Sequence, residues 1–313
     1  MKLQDMHKVG DVEYTRPIFA WLLNTVCQYR CTYCFYQNFL NKKEPAQNKT
    51  AYKRILKRLS MNTMPAFEVD IIGGEPTLHE NIHEILEELN NNNKCEKLTI
   101  NTNLARDVKW YQQLDDIKYN KLNITASYHP EYHLKHPEKY INKCIALSTV
   151  KNITFICNVN IYEKHWDVTK TTIETLLENN VPVGLNTLDP VDGVWEEEYS
   201  DEFRIHLQSY IEHVKRTYNI NPMKEELIEF TDYQSNKYMV SDYRIRIDKL
   251  DRYKSWECKA LYWSIDPDGR VYNLCTGEDL KPLNDNIIDD VICPVAEGCP
   301  CQDCFKFPKT NQR

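Results

Sequence analysis

The stretch "WLLNTVCQYRCTYCFYQNF" spans residues 21–39 and places Cys27, Cys31 and Cys34 at spacing CxxxCxxC behind an apolar run. Tetrahedral metal and cluster sites ordinarily take four ligands, and here there are three. In a [4Fe-4S] cluster each iron needs a terminal ligand, so three thiolates leave one iron open to bind a substrate or cofactor, much as catalytic zinc keeps one position free. The missing ligand therefore points to chemistry at the cluster rather than to electron transfer alone. A zinc knuckle is the alternative that the bare spacing leaves open.

A second stretch, "DIIGGEPTLH" (70–79), ends an apolar β-rich run with Gly73, Gly74, Glu75 and Pro76. Two glycines let backbone carbonyls come close to a ligand. An ammonium group has three donors to satisfy, and a carboxylate with nearby carbonyls can satisfy them. A glycine turn opening a helix is the plain structural alternative. It does not explain why this turn follows the second strand of a chain whose cysteine motif follows the first.

Together these motifs resemble those of the radical S-adenosylmethionine (SAM) superfamily, whose pattern is CxxxCxΦC with an aromatic Φ, here Tyr33, followed by a GGE-type motif. The resemblance covers residues 18 to about 190 and implies a partial (βα)6 TIM-type barrel. It implies that Cys27, Cys31 and Cys34 hold a [4Fe-4S] cluster whose open iron chelates the amino and carboxylate groups of SAM. One electron then cleaves the sulfonium, and a 5′-deoxyadenosyl radical abstracts a hydrogen atom from the substrate. By the same resemblance Tyr33 lies near the adenine, and Gly73, Gly74 and Glu75 contact the amine. Ser127 and Asn158 sit where such enzymes bind carboxylate or ribose, although polar strand residues also serve ordinary lumen hydrogen bonding.

The elements that must position these residues are readable from periodicity. Strands are expected at 18–26, 67–73, 97–103, 121–129, 152–161 and 181–188. Tyr52, Ile55, Leu56 and Leu59 repeat at helical spacing, as do Ile82, Ile85, Leu86 and Leu89, and later helices cover roughly 137–149, 168–179 and 201–217. Thr77 followed by Glu80 reads as a capping box. Asn90–Asn93 reads as a solvated helix end, and Trp195 with Glu196, Glu197 and Glu198 as a solvated helix start before the last barrel helix. Six strand–helix units argue for a parallel α/β sheet or barrel.

Strands covered on both faces should be nearly continuous apolar runs. Instead Asn24, Asp70, Asn101, Asn103, Thr125, Ser127, His129, Asn158, Asn160 and Asn186 fit one alternating polar set, which suggests a wet lumen that binds something. Cys157 falls on the opposite face, where a buried thiol behaves as a small hydrophobe, and Cys95 and Cys144 have no motif context. In "SYHPEYHLKHPEKY", His133 and His136 read as solvated loop residues because two prolines break the helix a metal site would need, while His129 at a strand end faces the expected substrate as an acid or base.

After about residue 220 the alternation stops. The expected organisation is an N-terminal segment (1–17), a barrel (18–220) and a small cysteine-rich β-hairpin domain (221–313). "YWSIDPDGRVYNLC" (262–275) reads as a hairpin turning at Asp-Pro-Asp-Gly. Cys258-x10-Gly269-x5-Cys275 is similar to the opening of the SPASM/twitch extension, with one extra residue before the second cysteine, whereas Cys293-x5-Cys299-x1-Cys301-x2-Cys304 departs from its later pattern. That resemblance implies auxiliary [4Fe-4S] clusters. Two would need eight thiolates and six are present, so one auxiliary cluster is expected, ligated by four of Cys258, Cys275, Cys293, Cys299, Cys301 and Cys304. Cys258 and Cys275 flank the hairpin and make the firmest pair; Cys299 competes with Cys301 and Cys304 for the rest. A spare cysteine could donate a hydrogen atom. Spacing alone does not separate this site from structural zinc.

Composition sets the outer bounds. The chain has 313 residues, 42% of them hydrophobic, enough for a sizeable core, and its net charge of −7 argues against a nucleic-acid backbone as main partner while leaving a local basic groove open. No apolar run is long enough to span a bilayer and no signal peptide is visible, so the expected location is the cytoplasm with no membrane partner. Twelve cysteines in a long chain without an export signal favour metal or cluster ligation over disulfides.

The function expected is therefore a radical SAM enzyme acting on a peptide or small polar metabolite, with oxidation, epimerisation or bond formation as outcomes. A flavodoxin- or ferredoxin-type protein would supply electrons. About 17 residues precede the first strand, which leaves no room for a fused leader-binding domain. A non-catalytic iron–sulfur or zinc protein in electron transfer or binding is the alternative of a different class; its weak point is the GGEP turn. A methylase that uses a second SAM or a methyl-accepting cysteine is a third reading, without a visible signature.

Overall fold

Branched apolar residues at every second position drive six parallel strands together, because each such residue packs on the pleated face that a helix covers. The computed structural model describes residues 2–10, 16–34, 49–116, 121–188, 199–222, 227–241, 245, 250–279, 290–294 and 307–311. Its strands in chain order are β1 (Met6–Val9), β2 (Ile18–Leu22), β3 (Phe67–Ile72), β4 (Cys95–Thr102), β5 (Leu122–Tyr128), β6 (Thr154–Ile161), β7 (Val183–Thr187), β8 (Leu227–Asp232), β9 (Lys237–Ser241), β10 (Glu257–Lys259), β11 (Tyr262–Ile265), β12 (Val271–Asn273), β13 (Asp290–Ile292) and β14 (Lys309–Thr310). The helices are α1 (Lys49–Leu59), α2 (Ile82–Asn91), α3 (Val108–Asp116), α4 (Pro130–His133), α5 (Pro137–Ser148), α6 (Trp166–Glu178) and α7 (Asp201–Tyr218).

Strands β2 to β7 lie side by side in chain order, all parallel, with helices between successive strands. This is the α/β sheet expected for a partial barrel. The register lines up Trp21, Ile71, Ile100, Ile124 and Phe155 as one row across five strands. All five belong to the main hydrophobic core with the apolar faces of α1, α2, α5 and α6. Full burial of each such side chain contributes roughly 1.5–3 kcal/mol. The neighbouring rows carry Thr125, then Ser127 with Asn158, then Asn160 with Asn186. The two faces of the sheet thus separate as the alternation requires. Cys157 sits in the helix-facing core, fully buried, its Sγ 4.0 Å from the Tyr140 hydroxyl.

Several expectations need correction. Thr77 and Glu80 do not form a capping box. The chain first takes a 3₁₀ turn over Pro76–Leu78 that Glu75 caps by accepting from the Thr77 N–H, and α2 starts one turn later at Asn81 without a side-chain cap. The Thr77 hydroxyl is itself taken up in donating to Glu75 Oε1. Helix α3 had no counterpart in the periodicity reading, although Asp107 Oδ1 accepts the Trp110 N–H at 2.9 Å as an N-terminal cap does. Residues 195–198 lie outside the described residues; α7 opens at Ser200, whose hydroxyl accepts from the Phe203 N–H.

The segments flanking the barrel are shared between two sheets. The hairpin β11–β12, turning at Gly269 with φ +86, adds β11 parallel to β2 and widens the barrel sheet to eight strands. A second, six-stranded sheet runs β13-β10-β14-β1-β8-β9, so residues from both ends of the chain pair within it. Among the described residues no helix is long and apolar enough to cross a membrane. Ile100 stands in the central apolar row with no exposed surface. Replacing it, as Ile100→Ala, should lower the unfolding free energy by about 3 kcal/mol in urea denaturation of the cofactor-free chain; a loss under about 1 kcal/mol would contradict this reading of the core.

Candidate active site

The three N-terminal cysteines occupy the loop that leaves β2, and the glycine turn leaving β3 is stitched to that loop. The Gly74 N–H donates to the Asn24 carbonyl at 2.8 Å and the Glu75 N–H to the Val26 carbonyl at 2.7 Å. Approach this close tolerates no side chain. A Cβ on Gly73 would lie 2.5 Å from the Asn24 carbonyl oxygen, and one on Gly74 2.4 Å from that of Val26. Gly73 also has φ +151, a conformation L side chains rarely adopt. The two motifs are therefore one structural unit.

Glu75 is fully buried. Its Oε1 accepts from the Thr77 N–H (3.1 Å), the Thr77 hydroxyl and the Thr102 hydroxyl (2.7 Å), and its Oε2 from the Asn103 N–H (2.6 Å). The Asn24 amide donates to its main-chain carbonyl at 3.1 Å. Burial raises its carboxyl pKa, and the hydrogen bonds from Thr77, Asn103 and Thr102 oppose that shift. The side chain thus ties the turn after β3 to the end of β4. Thr102 and Asn103 complete the arrangement: Asn103 Nδ2 donates to Cys27 Sγ at 3.6 Å, and Gln28 Nε2 donates to Asn103 Oδ1 at 2.6 Å. Asn103 stood in the polar strand set; Thr102, Gln28 and their contacts did not, since no spacing links residues on separate strands.

A second clamp comes from α4. Glu131 accepts from the Thr32 N–H at 2.9 Å and the Thr32 hydroxyl at 2.6 Å, and the Tyr132 hydroxyl accepts the Arg30 N–H. Tyr132 stacks on Tyr29 with ring centroids 4.1 Å apart. His129 meets the loop from beneath: its Nδ1 lies 3.3 Å from Cys31 Sγ, 3.1 Å from the Tyr33 hydroxyl and 3.4 Å from Asn160 Nδ2. Burial, with His133 nearby, pulls its pKa down to about 4. His133 is a correction. It is half-buried and stacked on Tyr128, and burial lowers its pKa to about 4, because the turn of α4 folds it inward beneath Tyr29. His136 is exposed beside Glu138.

Tyr33 is buried, stacked parallel to His129 and edge-on to Tyr162. Ser127 and Asn158 are direct neighbours in the register of β5 and β6. Asn158 Oδ1 is buried and lacks a hydrogen-bond partner among the described residues. Such an atom costs about 1–3 kcal/mol unless a ligand or water satisfies it.

The thiols fit a cluster held on three protein ligands. Burial raises the pKa of Cys27 and pushes that of Cys31 far above its ordinary value, and Coulombic repulsion from Cys34 raises both further. Thiolates gathered against burial and mutual repulsion need positive charge among them, and metal ligation requires the deprotonated form. Among the described residues no three His, Cys, Asp or Glu side chains are grouped as a single metal ion needs.

Cys258 lies on β10 and Cys293 just beyond β13 in the second sheet, while Cys275 follows β12 at the edge of the eight-stranded sheet. Burial, then charge repulsion from Cys258 and Cys293, pushes the Cys275 thiol up to about 12. The three are thus electrostatic neighbours. Cys299, Cys301 and Cys304 lie outside the described residues. Cys95 and Cys144 are buried in the core, and Cys144 neighbours Cys157 and Tyr140 there.

Three comparisons bear on this arrangement. GTP 3',8-cyclase of Haemophilus ducreyi (strain 35000HP / ATCC 700724) is 28% identical over 109 residues, which is 33% of this chain and 31% of that protein. The match thus spans about a third of the curated relative. Among solved structures, Streptococcus suis SuiB bound to precursor peptide SuiA is 19% identical with a TM-score of 0.52, over 66% of this chain and 48% of that one. Native anSMEcpe with bound AdoMet is 16% identical with a TM-score of 0.56, over 82% of this chain and 74% of that one. A further structure holds anSMEcpe with AdoMet and the Cp18Cys peptide, at a TM-score of 0.55, 16% identity and the same coverage. At these identities the likeness is one of fold. The sequence profile of the Radical SAM superfamily matches residues 21–204, more than half the chain and the whole stretch from the cysteine loop to the start of α7, and the chain belongs to that superfamily.

Proposed function

We propose that this chain is a radical SAM enzyme in which Cys27, Cys31 and Cys34 hold an open [4Fe-4S] cluster and the adjoining turn receives S-adenosylmethionine. The observation that carries the reading is the stitching of the cysteine loop to the Gly73–Gly74 turn, with no space for a Cβ on either glycine. Bound together, the cluster and SAM would supply a radical able to abstract hydrogen. The chain's own residues do the rest. Asn103 donates to Cys27, α4 braces the loop through Glu131 and Tyr132, and Tyr33 with His129 and Tyr162 packs behind it. Ser127 and Asn158 offer hydrogen bonds from adjacent strands, and the unpartnered Asn158 Oδ1 is suited to a hydroxyl or amine of the ligand.

Glu75 acts in this reading as a positioning residue. Its carboxylate is used by Thr77, Thr102 and Asn103, so the backbone carbonyls of the turn receive the SAM amine. The substrate is a peptide or small polar metabolite. The SuiA and Cp18Cys peptides bound in the similar folds support a peptide. The organisation is a barrel over 18–220 and a C-terminal part over 221–313 whose cysteines hold one auxiliary [4Fe-4S] cluster, supported by the proximity of Cys258, Cys275 and Cys293. A flavodoxin- or ferredoxin-type donor in the cytoplasm delivers electrons.

The test is anaerobic. After reconstitution with iron and sulfide, the intact chain given dithionite and SAM should release 5′-deoxyadenosine. The Cys27/Cys31/Cys34→Ala variant should release none while keeping a second cluster's iron. Absence of SAM cleavage by the intact, iron-loaded chain would overturn the proposal in favour of an electron-transfer or zinc protein. For Glu75, the Ala variant should lose about 3 kcal/mol of stability in urea, because buried donors on Thr77, Thr102 and Asn103 lose their acceptor. Unchanged stability together with lost SAM binding would instead make Glu75 a direct ligand contact.

A further inference from the structure

Lysine is almost never fully buried unless its charge is compensated. Lys309 on β14 is 1% exposed, in the centre of the second sheet between β10 and β1. Its Cα partner on β10 is Cys258. Directly opposed residues of an antiparallel pair share a face, with Cβ atoms about 4.5–5.5 Å apart. The Lys309 ammonium donates to the Phe307 carbonyl at 2.8 Å and stands 5.0 Å from the centre of the Tyr253 ring. Tyr253 in turn belongs to the apolar cluster that contains Cys293. Phe307 packs in the cluster that Cys275 borders. The lysine is therefore bracketed by the surroundings of all three described C-terminal cysteines.

We propose that Lys309 is the counter-charge of the C-terminal cysteine site, held beside Cys258 by strand register and raising the reduction potential of the iron–sulfur cluster that site binds. The inference rests on the auxiliary-cluster reading above. The physics is direct. Thiolates around iron carry net negative charge, and accepting one electron from a reductant such as dithionite adds one more. A fixed cation in a buried, low-dielectric setting favours the reduced form over the oxidised one. A neutral residue of similar length would keep the packing against Tyr253 and lose that preference.

The experiment uses the full chain carrying Cys27/Cys31/Cys34→Ala, so that only the C-terminal site can hold a cluster. After anaerobic reconstitution, iron is counted and the reduced cluster is followed by electron paramagnetic resonance in a poised redox titration. Lys309→Met should shift the one-electron equilibrium at least tenfold towards the oxidised form, which is a 59 mV fall in midpoint potential. Lys309→Arg, which keeps the charge, should stay within threefold of the parent. Loss of iron from the Met variant alone, with Arg retaining it, supports the same role. The proposal is overturned if Lys309→Met keeps its iron and its midpoint within threefold of the parent, if Arg shifts the midpoint as far as Met, or if both variants lose iron. A different result, no iron or only zinc in the parent itself, overturns the auxiliary-cluster reading beneath it.

Discussion

Two backbone hydrogen bonds hold the site together, from the Gly74 and Glu75 N–H groups to the carbonyls of Asn24 and Val26. They extend the β2–β3 pairing past the ends of both strands, so the loop bearing the cysteines leaves the sheet along a fixed path. The cost is steric: neither glycine can carry a side chain. Glu75 then turns its carboxylate inward to the end of β4, and Asn103 reaches from there to Cys27. One buried acid thus couples the ends of three consecutive strands to a single thiol loop, with α4 closing over it from the fourth.

The division of the sheet into an apolar and a polar face supplies the setting. The row from Trp21 to Phe155 packs against helices, and the alternate rows present Thr125, Ser127, Asn158, Asn160 and Asn186. Within those rows some groups satisfy one another, as Asn186 does in donating to Asn160 Oδ1 at 2.7 Å. Asn158 Oδ1 is not satisfied in this way. The difference separates polar residues that satisfy one another from one whose acceptor has no partner among the described residues.

Much of this was legible in the sequence because it rests on local periodicity. The six parallel strands and the cores of α1 and α2 follow from spacing alone, and the cysteine and glycine motifs mark their own loops. What was not legible depends on contacts between distant segments. Strand β1 holds four residues and gains its place only by pairing with β8 and β14, over two hundred residues away. The hydrogen bonds that Glu75 accepts from Thr102 and Asn103 join the ends of two strands and have no signature in the spacing. His133 reads as a loop residue until α4 turns it beneath Tyr29. The burial of Lys309 likewise has no local signal, since "FKFPKTNQR" is a polar tail by composition.

The measurement that bears most directly on the coupling of the two motifs is cluster spectroscopy of a Gly74→Ala chain. A methyl group there meets the Val26 carbonyl and must displace the cysteine loop while leaving every thiol in the sequence. After anaerobic reconstitution and reduction, the coupled site predicts that the variant loses the paramagnetic signal that responds to added SAM. Its remaining iron should match that of the Cys27/Cys31/Cys34→Ala chain. A full SAM-responsive signal in Gly74→Ala would contradict it, and would mean that the cysteine loop holds its geometry without the glycine turn.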